Sequence, residues 1–174
     1  VAPRHEFKTE NGMLPKIERT KRTKTPEQAL KALMRLASRA EKSSGDAMRL
    51  MAGWGVEPSQ RRAVLDKLVG MKFIDDRRYA EAFVRDKMRF SGWGAYKIRT
   101  ALRGKGIAPE IIDEALSQAD GTEMAERLQR ALATKMRSVK YSTPYELKNK
   151  LLRYGASLGY DFETVAEAVA CIVK

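Results

Sequence analysis

Residues 73–116, FIDDRRYAEAFVRDKMRFSGWGAYKIRTALRGKGIAPEIIDEAL, read as three helices broken by glycine. Asp75 or Asp76 is placed to cap the first of them, whose buried side is marked by Tyr79, Ala80, Phe83, Val84, Lys87 and Met88 at helical spacing. Gly92-Trp93-Gly94 ends it, and Ala95–Arg103 forms a short basic helix with Tyr96, Ile98 and Leu102 as apolar members. After the Gly104/Gly106 break, Pro109 opens a third helix through Ile111, Ile112, Ala115 and Leu116. Phe73, Tyr79 and Phe83 read as core at this spacing.

The same pattern recurs on both sides. Upstream, Thr25-Pro26-Glu27-Gln28 is a capping-box start for a helix over about 26–42. Ser43 or Ser44 caps a second, which stops near Gly53-Trp54-Gly55, and Pro58 starts a third that ends at Gly70. Downstream, Asp120 opens a helix with Glu123 as its capping partner, Thr143-Pro144-Tyr145-Glu146 opens another, and a last one runs over about 162–173. Gly55-Val56, Gly106-Ile107 and Gly159-Tyr160 fall 51 and 53 residues apart, and ten residues after each glycine stands Leu65, Leu116 or Val169. A turn of this kind favours the left-handed backbone, which glycine adopts without steric cost, and lets the next apolar residue fold back onto the helix pair. Strand signals are absent. The expectation is an all-α, elongated stack of three tandem three-helix repeats over 25–72, 73–119 and 120–174, preceded by a basic, mobile arm over 1–24.

Composition narrows the function. The 174 residues carry 34 Lys and Arg against 22 Asp and Glu, a formal net charge of +12. No apolar run approaches the roughly 20 residues that span a bilayer, and no signal-peptide core is visible. The lone Cys171 suits a reducing cytoplasm. Between Arg77 and Lys105 nine basic residues face only Glu81 and Asp86, giving +7 in 29 residues. Such density points to an anionic partner, although ordinary solvated helix faces also carry Lys and Arg.

Catalysis finds little support, and the chain reads as a non-enzyme without cofactor or metal. Its one histidine, His5, lies in the arm; Cys171 reads as a core thiol in an apolar helix. Asp75-Asp76 is a tight acidic pair, and capping explains it. The Walker pattern occurs nowhere.

Phe73-Ile74-Asp75-Asp76, Arg78-Tyr79-Ala80, Phe83-Val84, Gly94, Ile98, Leu102 and Gly106-Ile107 together resemble the RecX family. The resemblance is strongest over 73–116 and extends more weakly across 26–173. It implies a bacterial regulator of the RecA recombinase: a curved repeat stack lying in the groove of the RecA–single-stranded DNA filament. There it would inhibit filament extension, ATP hydrolysis, strand exchange and the co-protease activity of the SOS response, with some DNA binding of its own. Implied partners are the RecA nucleoprotein filament and single-stranded DNA, with duplex DNA left open; a cytoplasmic monomer acting in DNA repair is the corresponding picture.

Candidate contacts to RecA or DNA are Arg77, Arg78, Arg85, Lys87, Arg89, Lys97, Arg99, Arg103 and Lys105. Arg78, Arg85 and Arg89 share a face at spacings of seven and four, which Lys97 could join. Arginine forks suit phosphates and carboxylates alike. Arg130–Arg153 holds seven cations against Glu146 alone, so Lys135, Arg137, Lys140, Lys148 and Lys150 extend the set. Trp93 and Tyr96 are candidate platforms for an unpaired base, or wedges between helices; Trp54 and Tyr141 share the ambiguity. The competing reading is a DNA-binding helical protein acting without RecA, either a nonspecific coat or a helix-turn-helix over Ala95–Leu116. Glu110, Asp113 and Glu114 on the reading helix oppose the latter.

Overall fold

A computed structural model describes residues 23–173. The arm expected over 1–24, with His5, lies outside the described residues apart from Thr23 and Lys24. Nine helices and no strand occur among the described residues: α1 (Pro26–Arg39), α2 (Ser44–Gly53), α3 (Pro58–Gly70), α4 (Asp76–Ser91), α5 (Ala95–Gly104), α6 (Pro109–Ser117), α7 (Gly121–Ser138), α8 (Pro144–Leu158) and α9 (Phe162–Ile172).

They pack as three tandem repeats, because extensive helix contacts run within the trios α1–α3, α4–α6 and α7–α9. Each trio has its own apolar core. Leu33, Met51 and Leu68 are fully buried in the first, Ile98, Leu102 and Ile112 in the second, and Leu132 and Leu151 in the third. Met124 packs against both the second and the third. Phe73 and Ile74 belong by packing to the first core, their amides donating to the Leu68 carbonyl.

The repeated turn behaves as its glycine requires. Gly55, Gly106 and Gly159 have φ of 71°, 77° and 92°, a region strained for other residues. Val56, Ile107 and Tyr160 after them are buried. These turns also join the repeats. The start of α2 rests on the α5–α6 turn, where Ser43 Oγ donates to the Lys105 carbonyl at 2.8 Å and Arg49 to the Gly104 carbonyl at 2.9 Å. The start of α5 rests on the α8–α9 turn in the same way. There Gly94 N donates to Leu158 O at 2.8 Å and Tyr96 N to Gly159 O at 3.0 Å. The first turn is met instead by Thr23 and Lys24, with Lys24 N donating to Trp54 O at 2.9 Å.

Three expectations need correction, and one open choice, the cap of α4, is decided. α1 stops at Arg39, short of residue 42, because Ala40 is extended and Ser43 turns inward to the neighbouring repeat. Asp75 caps α4, whereas Asp76 accepts the Ser44 amide of the first repeat at 2.8 Å. Asp120 caps α7, but no capping box forms, since the Glu123 carboxylate pairs with Arg127. Cys171 is exposed rather than in the core: α9 buries Val165, Ala168 and Val169, and the thiol falls off that face. No described helix is long and apolar enough to cross a membrane.

Candidate functional site

The repeated-turn architecture consumes part of the cation set. Arg77 pairs with Glu114 and Arg99 with Asp113, so the acidic side of α6 is neutralised by α4 and α5. Arg78 donates to Glu41 at 2.7 Å across the first joint. Lys105 and Arg49 both bind Asp46 in the same joint. Burial works to raise the Asp46 carboxyl, but those two donors outweigh it and hold the group below the usual aspartate range. These four candidates therefore sit in intramolecular pairs rather than in one open patch.

The three-residue face expected on α4 splits. Arg85 and Arg89 line a groove of about 670 Å³ between α4, the end of α6 and α7, and Arg78 is not among them. Its place is taken by Arg127 of α7, which donates to the Met88 and Arg89 carbonyls at 3.4 and 3.1 Å. Arg127 thus covers the negative end of α4 and ties the second repeat to the third. Its only sequence signal is a position four residues after Glu123. Val84 and Met88 floor the groove, and Glu81, Asp120 and Glu123 share its rim, so the lining mixes both signs.

Lys97 does not join Arg85 and Arg89. Its ammonium donates to the Ser157 carbonyl at 3.0 Å and lies 4.7 Å from the centre of Trp93, while Lys87 approaches the same ring at 4.8 Å. Phe83 meets Trp93 edge-on at 6.3 Å. A base could stack on Trp93 only by displacing these neighbours. Tyr96 is 73% exposed at the start of α5 and borders a cleft with Tyr160.

On the third repeat, Lys135 lies 5.3 Å from the Tyr154 ring. Arg137, Lys140 and Lys148 are exposed. Lys150 Nζ donates to the Lys140 carbonyl at 2.7 Å and pairs with Glu146, which also accepts the Ser142 amide. Those two bonds hold the Glu146 carboxyl below its usual range. Arg103 is exposed at the end of α5.

Known proteins resemble this chain in sequence and in fold. The family model of the second three-helix domain of RecX matches residues 75–116. The regulatory protein RecX of Chromohalobacter salexigens is 33% identical over 137 residues, which cover 79% of this chain and 88% of that protein. The chain belongs to the RecX family. The regulatory protein RecX of Clostridium botulinum (strain Eklund 17B) is 30% identical over 148 residues, 84% of this chain and 67% of the relative. A crystal structure of RecX from Lactobacillus salivarius superposes with a TM-score of 0.71 at 20% identity, covering 84% of this chain and 96% of that one, which establishes the shared fold. A second crystal structure of regulatory protein RecX gives 0.77 at 25% identity, over 84% and 73%. The matched RecX domain is the central trio α4–α6, the repeat whose two ends are both docked on neighbours.

Proposed function

We propose that this RecX-family chain is a negative modulator of the RecA recombinase. It lies along the groove of the RecA–single-stranded DNA filament and lowers ATP hydrolysis, strand exchange and co-protease activity, without covalent chemistry of its own. The reading is supported by relatives that carry the name regulatory protein RecX. One observation carries it on the molecule itself. Of the candidate cations, once internal pairs are set aside, Arg89 and Arg103 on the second repeat and Arg137, Lys140 and Lys148 on the third are exposed without a carboxylate partner among the described residues, and on the first repeat Lys31, Arg35, Arg39, Lys67 and Lys72 are likewise exposed and unpaired. A row of repeats presenting charge in this way suits a long polyanion better than a compact acidic ligand.

Occupancy of the filament is the mechanism. Guanidinium forks can bridge DNA phosphates or carboxylates of RecA, so each bound copy blocks protomer movement and further addition. The chain acts as a monomer in the bacterial cytoplasm.

The test is DNA-stimulated ATP hydrolysis by RecA, titrated with this protein. Hydrolysis should fall at or below one copy per RecA protomer. An unchanged rate at concentrations where binding to the filament is demonstrated would refute the reading.

A further inference from the structure

The repeats end their third helices at different lengths, and the difference falls beside the groove between α4 and α7. Both α3 and α6 open on proline, Pro58 and Pro109, 51 residues apart. α3 then runs for 13 residues and α6 for 9, which leaves α6 four residues, about one turn, short. The side chain lost with that turn can be named. Leu68, in the last turn of α3, is fully buried in the first core. Its counterpart 51 residues on is Ala119, which lies beyond the end of α6 and is only partly buried. A further 53 residues on, Ile172 ends α9 and packs against the third core. The first and third repeats thus put a branched aliphatic side chain where the second has a methyl group.

The facing helix changes in step. The spacing of 51 also pairs Leu33 of α1 with Val84 of α4, both buried. Next to them, Leu30 and Met34, which pack on the first core, give way to Glu81 and Arg85. The groove left open has Val84, Met88, Ala115 and Ala119 beneath and charges along its edge. Glu81 and Arg89 both line it from α4, eight residues or about 12 Å apart. Neither has an ion partner among the described residues.

We infer that this groove docks an amphipathic helix of a protein partner, which supplies the aliphatic side chain that the central repeat lacks. The partner helix sets a leucine or isoleucine over Ala119, a lysine or arginine opposite Glu81 and a carboxylate opposite Arg89, about two turns away. Laying an apolar ridge into a groove between helices is a recurring recognition mode, and charges at the two ends fix its register. A nucleic acid strand suits the place poorly, because Glu81, Asp120 and Glu123 on the same rim repel phosphate. This site goes beyond the filament reading and needs neither RecA nor DNA.

A phage-displayed library of alanine-based helical 16-mers, randomised along one face, is selected against the full chain. Enriched peptides should share an aliphatic residue flanked by a cation and a carboxylate. The strongest binder is labelled with fluorescein and measured by anisotropy. Ala119→Leu, which installs the residue of the first repeat, should fill the groove and weaken binding about tenfold or more. Circular dichroism and thermal unfolding check that this variant is folded. Glu81→Lys changes only an exposed residue; it should weaken binding about two- to fivefold, and replacing the peptide's cation by glutamate should restore affinity on that variant alone. A benzophenone at the aliphatic position should crosslink to α4, α7 or the end of α6. A library that enriches no binder overturns the inference. So does a binder indifferent to both substitutions, or one whose crosslinks fall on other helices. A dimer of this chain that Ala119→Leu dissociates would name a second copy as the occupant and overturn the reading of a separate partner. If the chain never inhibits RecA while the selected helix behaves as expected, the filament reading fails and this site stands.

Discussion

At Gly94 a methyl group has nowhere to go. The residue is buried, and a Cβ there would sit 2.5 Å from the Gly159 carbonyl oxygen and 2.7 Å from the Tyr160 nitrogen, both backbone atoms that side-chain rotation cannot move. Gly94→Ala should therefore cost about 1–3 kcal/mol, the usual range for overpacking, by parting α5 from the α8–α9 turn. Gly53 is the internal control: no atom lies within 4 Å of its Cβ position and it occupies the last helical residue of α2 without a positive φ. Gly53→Ala should be neutral or stabilise by up to about 1 kcal/mol through the unfolded chain. Urea denaturation of the two variants measures both. Equal destabilisation would mean that the Gly94 approach carries no special constraint.

At the scale of the element, α6 shows how a charged helix can restrain its neighbours. Its Asp113 and Glu114 bind Arg99 and Arg77, side chains that otherwise belong to the most basic stretch of the sequence. Removing those partners should release cations. Asp113→Asn together with Glu114→Gln should tighten dT 20-mer binding and steepen its salt dependence, by up to two in slope if both arginines then reach phosphate. Unchanged affinity and slope would show that neither arginine faces the strand. The pairing also marks the limit of sequence reading. Helix number, the turns at Gly55, Gly106 and Gly159, and the caps at Thr25 and Thr143 were legible because each depends on residues a few positions apart. Arg127 against the end of α4, Asp76 on Ser44 and Gly45 under Lys105 join residues 32 to 60 apart, and no local period encodes such contacts. Cys171 was misplaced for a related reason: an apolar helix tells which residues could be buried, whereas the packing partner decides which face is.

For the whole molecule, three separate cores imply joints that can yield independently, and the two joints differ in what holds them. Between the first and second repeats the bonds run through side chains: Ser43 and Arg49 to the α5–α6 turn, Asp46 to Lys105, Asp76 to Ser44, Arg78 to Glu41. Between the second and third, two backbone–backbone bonds from Gly94 and Tyr96 take the equivalent place, with Lys97 and Arg127 beside them. Salt screens the exposed ion pairs and leaves neutral backbone bonds nearly unaffected. Acid acts with a definite sign. The Asp46 carboxyl is held below its unfolded value, so its contribution is fully present above the ordinary aspartate value of about 3.9 and is lost as pH falls through the lower folded value. Hydrogen exchange followed by mass spectrometry separates the joints. At 1 M salt, and again below about pH 4 after correction for the intrinsic rate, amides of Ser44–Ala47 should lose protection before those of Gly94–Ile98. Simultaneous loss, or loss at Gly94 first, would show that the two joints open as one and that the ion pairs do not set the order.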